Sequence, residues 1–132
     1  LRRVQLKDPT KTKQLRKALD DMAEEGVTQV FYPEIGSNWI IGVVGQLQLD
    51  VLLSRLDAEY KVAAALEPAP FDTARWITSK DASDLKAFTD INRSAMAKDR
   101  DDNPVFLAKS SWEVGYVADR YPKVAFAATR ER

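Results

Sequence analysis

The chain has 132 residues, with 20 basic residues balancing 20 acidic ones and with neither histidine nor cysteine. This length suits a single domain, and the balanced charge disfavours a generic nucleic-acid binder, which carries a basic excess. The missing residue types exclude Ser–His and Cys–His nucleophilic sites and common zinc sites, and no apolar run approaches the ~20 residues that span a bilayer.

The first half of the chain predicts the element order β-α-β-β-α-β. The predicted elements are a strand over 2–7, a helix over 9–25, strands over 27–32 and 39–44, a helix over 46–60 and a strand over 61–67. Asp8 and Pro9 favour a helix start, because the carboxylate can accept from a first-turn N–H and proline has no donor to leave unpaired. Gly26 favours a helix end. The residues predicted to face inward from the first helix are Leu15, Ala18, Leu19, Met22 and Ala23.

Pro68 and Pro70 predict a bend, after which the second half predicts the order β-α-β-α-β. The predicted elements are a strand over 71–77, a helix over 81–95, a polar loop over 99–104, a strand over 105–108, a helix over 110–121 and a strand over 124–129. The residues predicted to face inward from the first of these helices are Leu85, Phe88, Ile91 and Ala95. Ser110 and Glu113 have the spacing of a capping box at the start of the last helix.

These elements indicate an α+β fold, a two-layer α/β sandwich. Residues 1–67 form a ferredoxin-like split βαβ half, residues 71–132 extend it, and we expect a single domain over 1–132. Trp39, Trp76 and Trp112 lie inside predicted elements, so we expect them in core or interdomain contacts rather than as platforms for base stacking.

A cluster of basic side chains surrounds the start of the first predicted helix. It comprises Lys7, Lys11, Lys13, Arg16 and Lys17. Cations near a helix N-terminus oppose the helix macrodipole, so their placement needs a reason. One interpretation is contact with a phosphate backbone, which adds salt-dependent affinity. The other is a solvated face paired with neighbouring acids, and the sequence leaves both open.

The turn before the second helix is another candidate binding site. Gly45 precedes Gln46 and Gln48, and the N–H groups that open a helix can bind an anion or a polar group. Glycine is equally explained by a close approach of the strand and helix backbones. Both interpretations of this turn stay open.

Carboxylates are the remaining source of chemistry. They cluster at Asp20, Asp21, Glu24, Glu25, Asp99, Asp101 and Asp102. Such groups can hold magnesium or catalyse hydrolysis, but acids at a helix end or in a polar loop are usually solvated surface. We therefore predict no catalytic residue and no metal site.

Several segments, ordered along the whole chain, give it a resemblance to a known family. They are residues 4–9, 13–17, 24–26, 29–33, 42–51, 55–56, 59–60, 74–76 and 129–131. They resemble the C-terminal domain of bacterial peptide chain release factor 3, a translational GTPase. The Gly-Gln-Leu-Gln-Leu-Asp stretch at 45–50 also resembles the Gly-Glu-Leu-His-Leu-Glu stretch in the third domain of elongation factor G.

The resemblance implies a function in translation termination. The parent protein would be a GTPase, using GTP or GDP with Mg²⁺, that stimulates the release of class I release factors from the ribosome. This chain would be its non-catalytic C-terminal domain, without a cofactor and in the cytoplasm, where the absence of cysteine is suited to a reducing compartment. The implied partners are the small ribosomal subunit (protein and rRNA), the parent's GTPase and β-barrel domains and, indirectly, class I release factors, with no membrane or DNA.

Two other classes fit the residues taken alone. A free-standing ferredoxin-like regulatory module that senses a small ligand predicts a ligand-induced rise in melting temperature. An enzyme built on carboxylates predicts hydrolysis that depends on a divalent metal. A ribosome-docking domain predicts instead salt-dependent binding to small subunits.

Overall fold

The computed structural model of the protein describes residues 1–26, 28–35, 39–42 and 46–128. Their backbone contacts divide the chain into two compact units. As far as they are described, residues 1–31 and 38–69 form the first unit, and residues 32–37 and 70–132 form the second. The division after residue 69 lies in the segment between Pro68 and Pro70, where the sequence predicts a bend.

The first unit has the order β-α-β-β-α-β that the sequence predicts. Its elements are β1 (Arg2–Leu6), α1 (Thr12–Glu24), β2 (Gln29–Pro33, whose last two residues belong to the second unit), β3 (Ile40–Gly42), α2 (Gln46–Tyr60) and β4 (Ala64–Pro68). Its antiparallel strands lie in the order β4-β1-β3-β2, which is the ferredoxin-like arrangement. The predicted α+β fold class is confirmed, and β2 pairs antiparallel with β3.

The core of the first unit is built from one face of each helix and from the central strands. The buried helix residues are Leu15, Ala18, Leu19, Met22, Leu49, Leu52 and Leu56. Phe31, Ile40 and Ile41 on β2 and β3 are fully buried as well. Ala23 is only half-buried, so its predicted inward position is wrong in degree. Burial of apolar faces of this kind supplies most of the driving force for folding.

Backbone conformation ends both helices of the first unit. Gly26 has φ +81°, the left-handed conformation in which glycine pays no steric penalty. Lys61 adopts φ 56°, and the chain then turns back so that the Val62 N–H donates to the Leu56 carbonyl (3.0 Å). The strand predicted over 61–67 therefore begins later, at Ala64.

The second unit contains one strand more than the sequence predicts. Its elements are β5 (Thr73–Ser79), α3 (Ala82–Ile91), a 3₁₀ turn (Arg93–Ala95), β6 (Met96–Lys98), β7 (Pro104–Ala108), α4 (Ser111–Arg120) and β8 (Val124–Ala127). The antiparallel order is β6-β7-β5-β8, and Tyr32 and Pro33 pair with β6. Counted within this unit, the strands run 2-3-1-4, so the second unit has the same split topology as the first.

The missed strand β6 follows an early helix end. Asn92 leaves the helical conformation (φ −110°, ψ 27°), which ends α3 at Ile91 rather than at Ala95, and its Nδ2 donates to the Phe88 carbonyl (2.9 Å) beside the backbone N–H (3.1 Å). Ile91, the last residue of α3, is 73% exposed, so its predicted inward position is wrong. Ala95 does pack against the core, but from the 3₁₀ turn.

The core of the second unit is centred on an aromatic cluster. Phe88 is fully buried, and its ring meets three others edge-to-face. The partners, with their centroid distances, are Phe106 (5.3 Å), Tyr121 (5.0 Å) and Phe126 (5.3 Å). This geometry is favoured by the ring quadrupoles and adds to the effect of burial.

Candidate functional site

The predicted basic cluster lies around the start of α1. Asp8 Oδ1 accepts from the N–H (3.0 Å) and the hydroxyl (2.7 Å) of Thr10, which forms a 3₁₀ turn over Pro9–Lys11 before α1 begins. These hydrogen bonds, aided by the charge of Lys11, hold the pKa of the Asp8 carboxyl below its ordinary value. The turn places Lys11 before the helix and Lys13 in its first turn.

Two of the basic residues are paired along α1. Arg16 Nε lies 3.8 Å from Asp20 Oδ2, and Lys17 Nζ lies 3.2 Å from Asp21 Oδ2. Both pairs have the i, i+4 spacing that brings side chains together on a helix surface. For Arg16 and Lys17, the interpretation as a solvated face paired with neighbouring acids is therefore at least partly correct.

The remaining basic residues differ from these two. Lys7, Lys11 and Lys13 form no ion pair with another residue in the part of the chain that the structure describes. Lys7 and Lys13 are exposed, and Lys11 is half-buried. The positive charges of Lys7 and Lys13 are consequently available to an external anion, whereas that of Lys11 also acts on Asp8.

An open groove of about 560 Å³ runs along α1 in the first unit. Its lining residues are Thr12, Lys13, Arg16, Lys17, Asp20, Asp21 and Trp39. The groove therefore brings together three of the predicted site residues and adds Trp39, which is half-buried and which the sequence interpretation did not assign to the site. Lys7, Lys11, Gln46 and Gln48 do not line it. The lysine and arginine side chains of the groove, together with the Trp39 ring, suit a ligand that has both negative charge and a planar or apolar part.

The acids at the other end of α1 are engaged in structural contacts. Asp21 Oδ2 accepts from the Tyr60 hydroxyl (3.0 Å), and the bonds from Lys17 and Tyr60 lower the pKa of Asp21. Arg55 Nη1 lies 2.6 Å from Glu25 Oε2. These contacts join α1 to α2 and account for Asp21 and Glu25 without a ligand.

The turn before α2 is described only in part. Gln46 opens α2 and is exposed, with its Nε2 donating to Asp50 Oδ1 (3.2 Å), and Gln48 is half-buried. Gly45 lies outside the described residues. The anion-docking and close-approach interpretations of this turn therefore both stay predictions.

Asp99 is a structural residue in the loop that the sequence predicts to be polar. It is 7% exposed; its Oδ2 accepts from Trp76 Nε1 (2.9 Å), and its Oδ1 accepts from the N–H groups of Asp101 and Asn103 (2.9 Å each). Burial raises the pKa of Asp99, but the hydrogen bonds, led by those from Trp76 and Asn103, outweigh it and leave the pKa lowered. This carboxylate is thus satisfied within the fold rather than solvated.

The tryptophans have different surroundings. Trp76 is 9% exposed and belongs to the core, as predicted. Trp39 lines the groove. Trp112 is 74% exposed, so a core position for it is wrong. It lies on the outer face of α4, because the helix packs against the core through Val114 and Val117.

Comparison with known families gives a match to most of the chain. A family model described as "Class II release factor RF3, C-terminal domain" matches residues 1–118. The match takes in residues of both compact units, including the basic cluster and the groove. Among the described helices, none combines the length and the apolar composition that crossing a membrane requires.

Proposed function

Because the chain belongs to the family of class II release factor RF3 C-terminal domains, we propose that it is the non-catalytic docking arm of a GTPase that stimulates release of class I release factors from the ribosome. Family membership confirms the resemblance seen in the sequence. It also makes the chain a release factor 3-type domain of translation termination, a process in which the family associates with the ribosome.

The observation that carries the proposal is the extent of the family match, residues 1–118 of 132. The family's description as a C-terminal domain supports a longer parent protein. We propose that the parent's other domains bind GTP or GDP with Mg²⁺, that they contact this chain, and that the parent acts in the cytoplasm. Residues 1–132 would act together as a single docking domain.

The α1 groove supports a ribosomal contact at its basic end. Lys13 is exposed and unpaired among the described residues, and Lys7 and Lys11 add charge before the helix. Each lysine that neutralises an RNA phosphate releases counterions, so binding weakens as salt rises. Trp39 would add an aromatic surface for a base or an apolar side chain. The expected partners are protein and rRNA of the small subunit, without membrane or DNA.

The direct test is binding of the chain to purified small ribosomal subunits across a salt series. The double variant Lys7→Glu/Lys13→Glu removes two unpaired cations, so the slope of log K against log salt should fall by about 2 and affinity should drop at low salt. Lys98→Glu makes the same kind of charge change at an exposed position on β6 and serves as the control. The role of the basic cluster would be contradicted if wild-type affinity did not change with salt concentration, or if Lys98→Glu lost as much affinity as the double variant.

A second test addresses the lack of a cofactor. Because the proposal places the nucleotide site in another domain of the parent, titration calorimetry of this chain with GTP and Mg²⁺ should give no heat of binding. Micromolar affinity for GTP would overturn the assignment.

The alternative function, a regulatory module that senses a small ligand, can also be tested, since the groove volume of about 560 Å³ lies in the range of ligand pockets. A module of that kind would gain melting temperature with its ligand. The docking arm should instead be stabilised by small ribosomal subunits.

A further inference from the structure

The outer face of α4 carries an exposed aromatic stack. The rings of Trp112 and Tyr116 are nearly parallel (18°) with centroids 5.4 Å apart. The Arg120 guanidinium carbon lies 5.4 Å from the centre of the Tyr116 ring, and its Nη1 donates to the Tyr116 hydroxyl (2.8 Å). The spacing i, i+4, i+8 aligns these groups along the helix. Trp112 ends the stack with 74% of its surface exposed.

The core does not require this stack. The residues of α4 that reach the core cluster are Val114 and Val117, followed by Tyr121 after the helix end. Trp112 and Tyr116 lie on the opposite side, at 74% and 46% exposure. Trp, Tyr and Arg are the residue types enriched among the dominant contributors to protein–protein binding, and here all of them share one helix face.

Gly115 is an independent sign that something approaches this face. It lies in the interior of α4, where glycine destabilises a helix relative to alanine. A Cβ at this position would have no heavy atom within 4 Å, and its φ is not in the left-handed range. Nothing in the described fold therefore needs glycine here. A partner backbone lying against α4 would need it, because a side chain would hold that backbone away.

The charged groups of this face, Asp119 and Arg120, balance each other, so the face offers RNA no excess of positive charge and suits a protein partner better. Asp119 is exposed and forms no ion pair with another described residue, whereas the Arg120 cation lies over Tyr116. An unpaired carboxylate repels phosphates. It attracts a basic side chain, which can also lie over the open face of Trp112 in a cation–π contact. Proteins that bind RNA carry an excess of such side chains.

We propose that the outer face of α4, formed by Trp112, Gly115, Tyr116 and Asp119, docks on a basic protein surface of the small ribosomal subunit. The partner contributes a lysine or arginine that contacts Asp119 and Trp112, and its backbone lies close to Gly115. The choice of a ribosomal protein rests on the function proposed above. The α4 face belongs to the second unit and is separate from the basic cluster on α1, so each can be tested without the other.

The test measures binding of the chain to purified small subunits and to protein-free small-subunit rRNA. Gly115→Gln is the main variant, because it places a better helix former at an open position and should keep the fold while blocking close approach. We expect at least a tenfold loss of affinity for subunits from Gly115→Gln and from Trp112→Ala, with rRNA binding unchanged. Ile91→Ala, which truncates an exposed apolar residue on α3, is the control and should bind normally.

The outcomes separate the two proposals. If the wild-type chain binds small subunits and the α4 variants bind them equally well, the proposed α4 surface is overturned while the proposed function stands. Equal losses on subunits and on free rRNA also overturn it, in favour of an RNA contact. If the wild-type chain binds no subunits under conditions in which it is folded, both proposals fail.

Discussion

Gly115 and Gly26 form a matched pair for testing how backbone conformation decides the effect of a methyl group. At both positions a Cβ would have no heavy atom within 4 Å, so packing does not distinguish them. Gly115 lies in the interior of α4, whereas Gly26 has φ +81° after the end of α1. Substitution of glycine by alanine should therefore raise the free energy of unfolding at Gly115 and lower it at Gly26.

The magnitudes follow from the two conformations. Gly115→Ala should raise the free energy of unfolding by about 0.5–1 kcal/mol, because alanine loses less backbone entropy in a helix. Gly26→Ala places an L-residue in the left-handed region, at a penalty of roughly 1–2 kcal/mol. A smaller unfolded-state entropy offsets part of that penalty by about 0.4–1 kcal/mol, which leaves a net destabilisation of about 1 kcal/mol.

Urea unfolding followed by far-UV circular dichroism measures both changes, with the unfolding slope held common across variants. For Gly115→Ala the midpoint should move to higher urea, and for Gly26→Ala to lower urea. The reasoning is refuted if both variants shift in the same direction. A destabilised Gly115→Ala alone would show that the helix interior at this position meets a constraint that the structure does not contain.

Two further substitutions probe the second unit. Asp99→Asn should destabilise the protein by about 1–3 kcal/mol at neutral pH, because a buried charged acceptor is lost. Since the pKa of Asp99 is lowered in the fold, its contribution is present above the ordinary value of 3.8 and is lost as pH falls through the folded value; a wild-type–variant difference in urea midpoint that does not shrink in acid would contradict this. Phe88→Ala should cost about 3–5 kcal/mol by opening a cavity, and a calorimetric loss below about 1 kcal/mol would show that the aromatic cluster is not the core of this unit.

The family and the fold class could be predicted because their signals are local. Helix α2 has the predicted bounds, Gln46–Tyr60, since its apolar residues recur at helical spacing and a glycine precedes it. Caps are equally local. Asp81 accepts from the Ser83 N–H (2.9 Å), and Ser110 accepts from that of Glu113 (3.3 Å). The returning bond of the capping box differs, because Glu113 Oε1 accepts from the backbone N–H of Lys109 (3.4 Å) instead of that of Ser110.

The candidate site could be predicted only as a set of residue types. The sequence located the cations near the start of α1, but not which of them are paired. An acid at i+4 from Arg16 and from Lys17, and none at i+4 from Lys13, can be seen in the sequence. Only the folded helix shows that the two pairs form, at 3.8 Å and 3.2 Å. The sequence did not predict that Trp39 lines the groove, because Trp39 and α1 are distant in sequence and become neighbours only in the folded unit.

The sequence by itself determined the family, the element order of the first unit and the face that α1 buries, because periodicity, caps and a left-handed glycine act within a few residues. Only the tertiary structure decided that Met96–Lys98 is a strand, that Asp99 is buried against Trp76, and that Trp112 points outward. A three-residue strand, a satisfied carboxylate and an exposed aromatic ring all depend on partners distant in sequence. Those partners become neighbours only when the chain has closed its core.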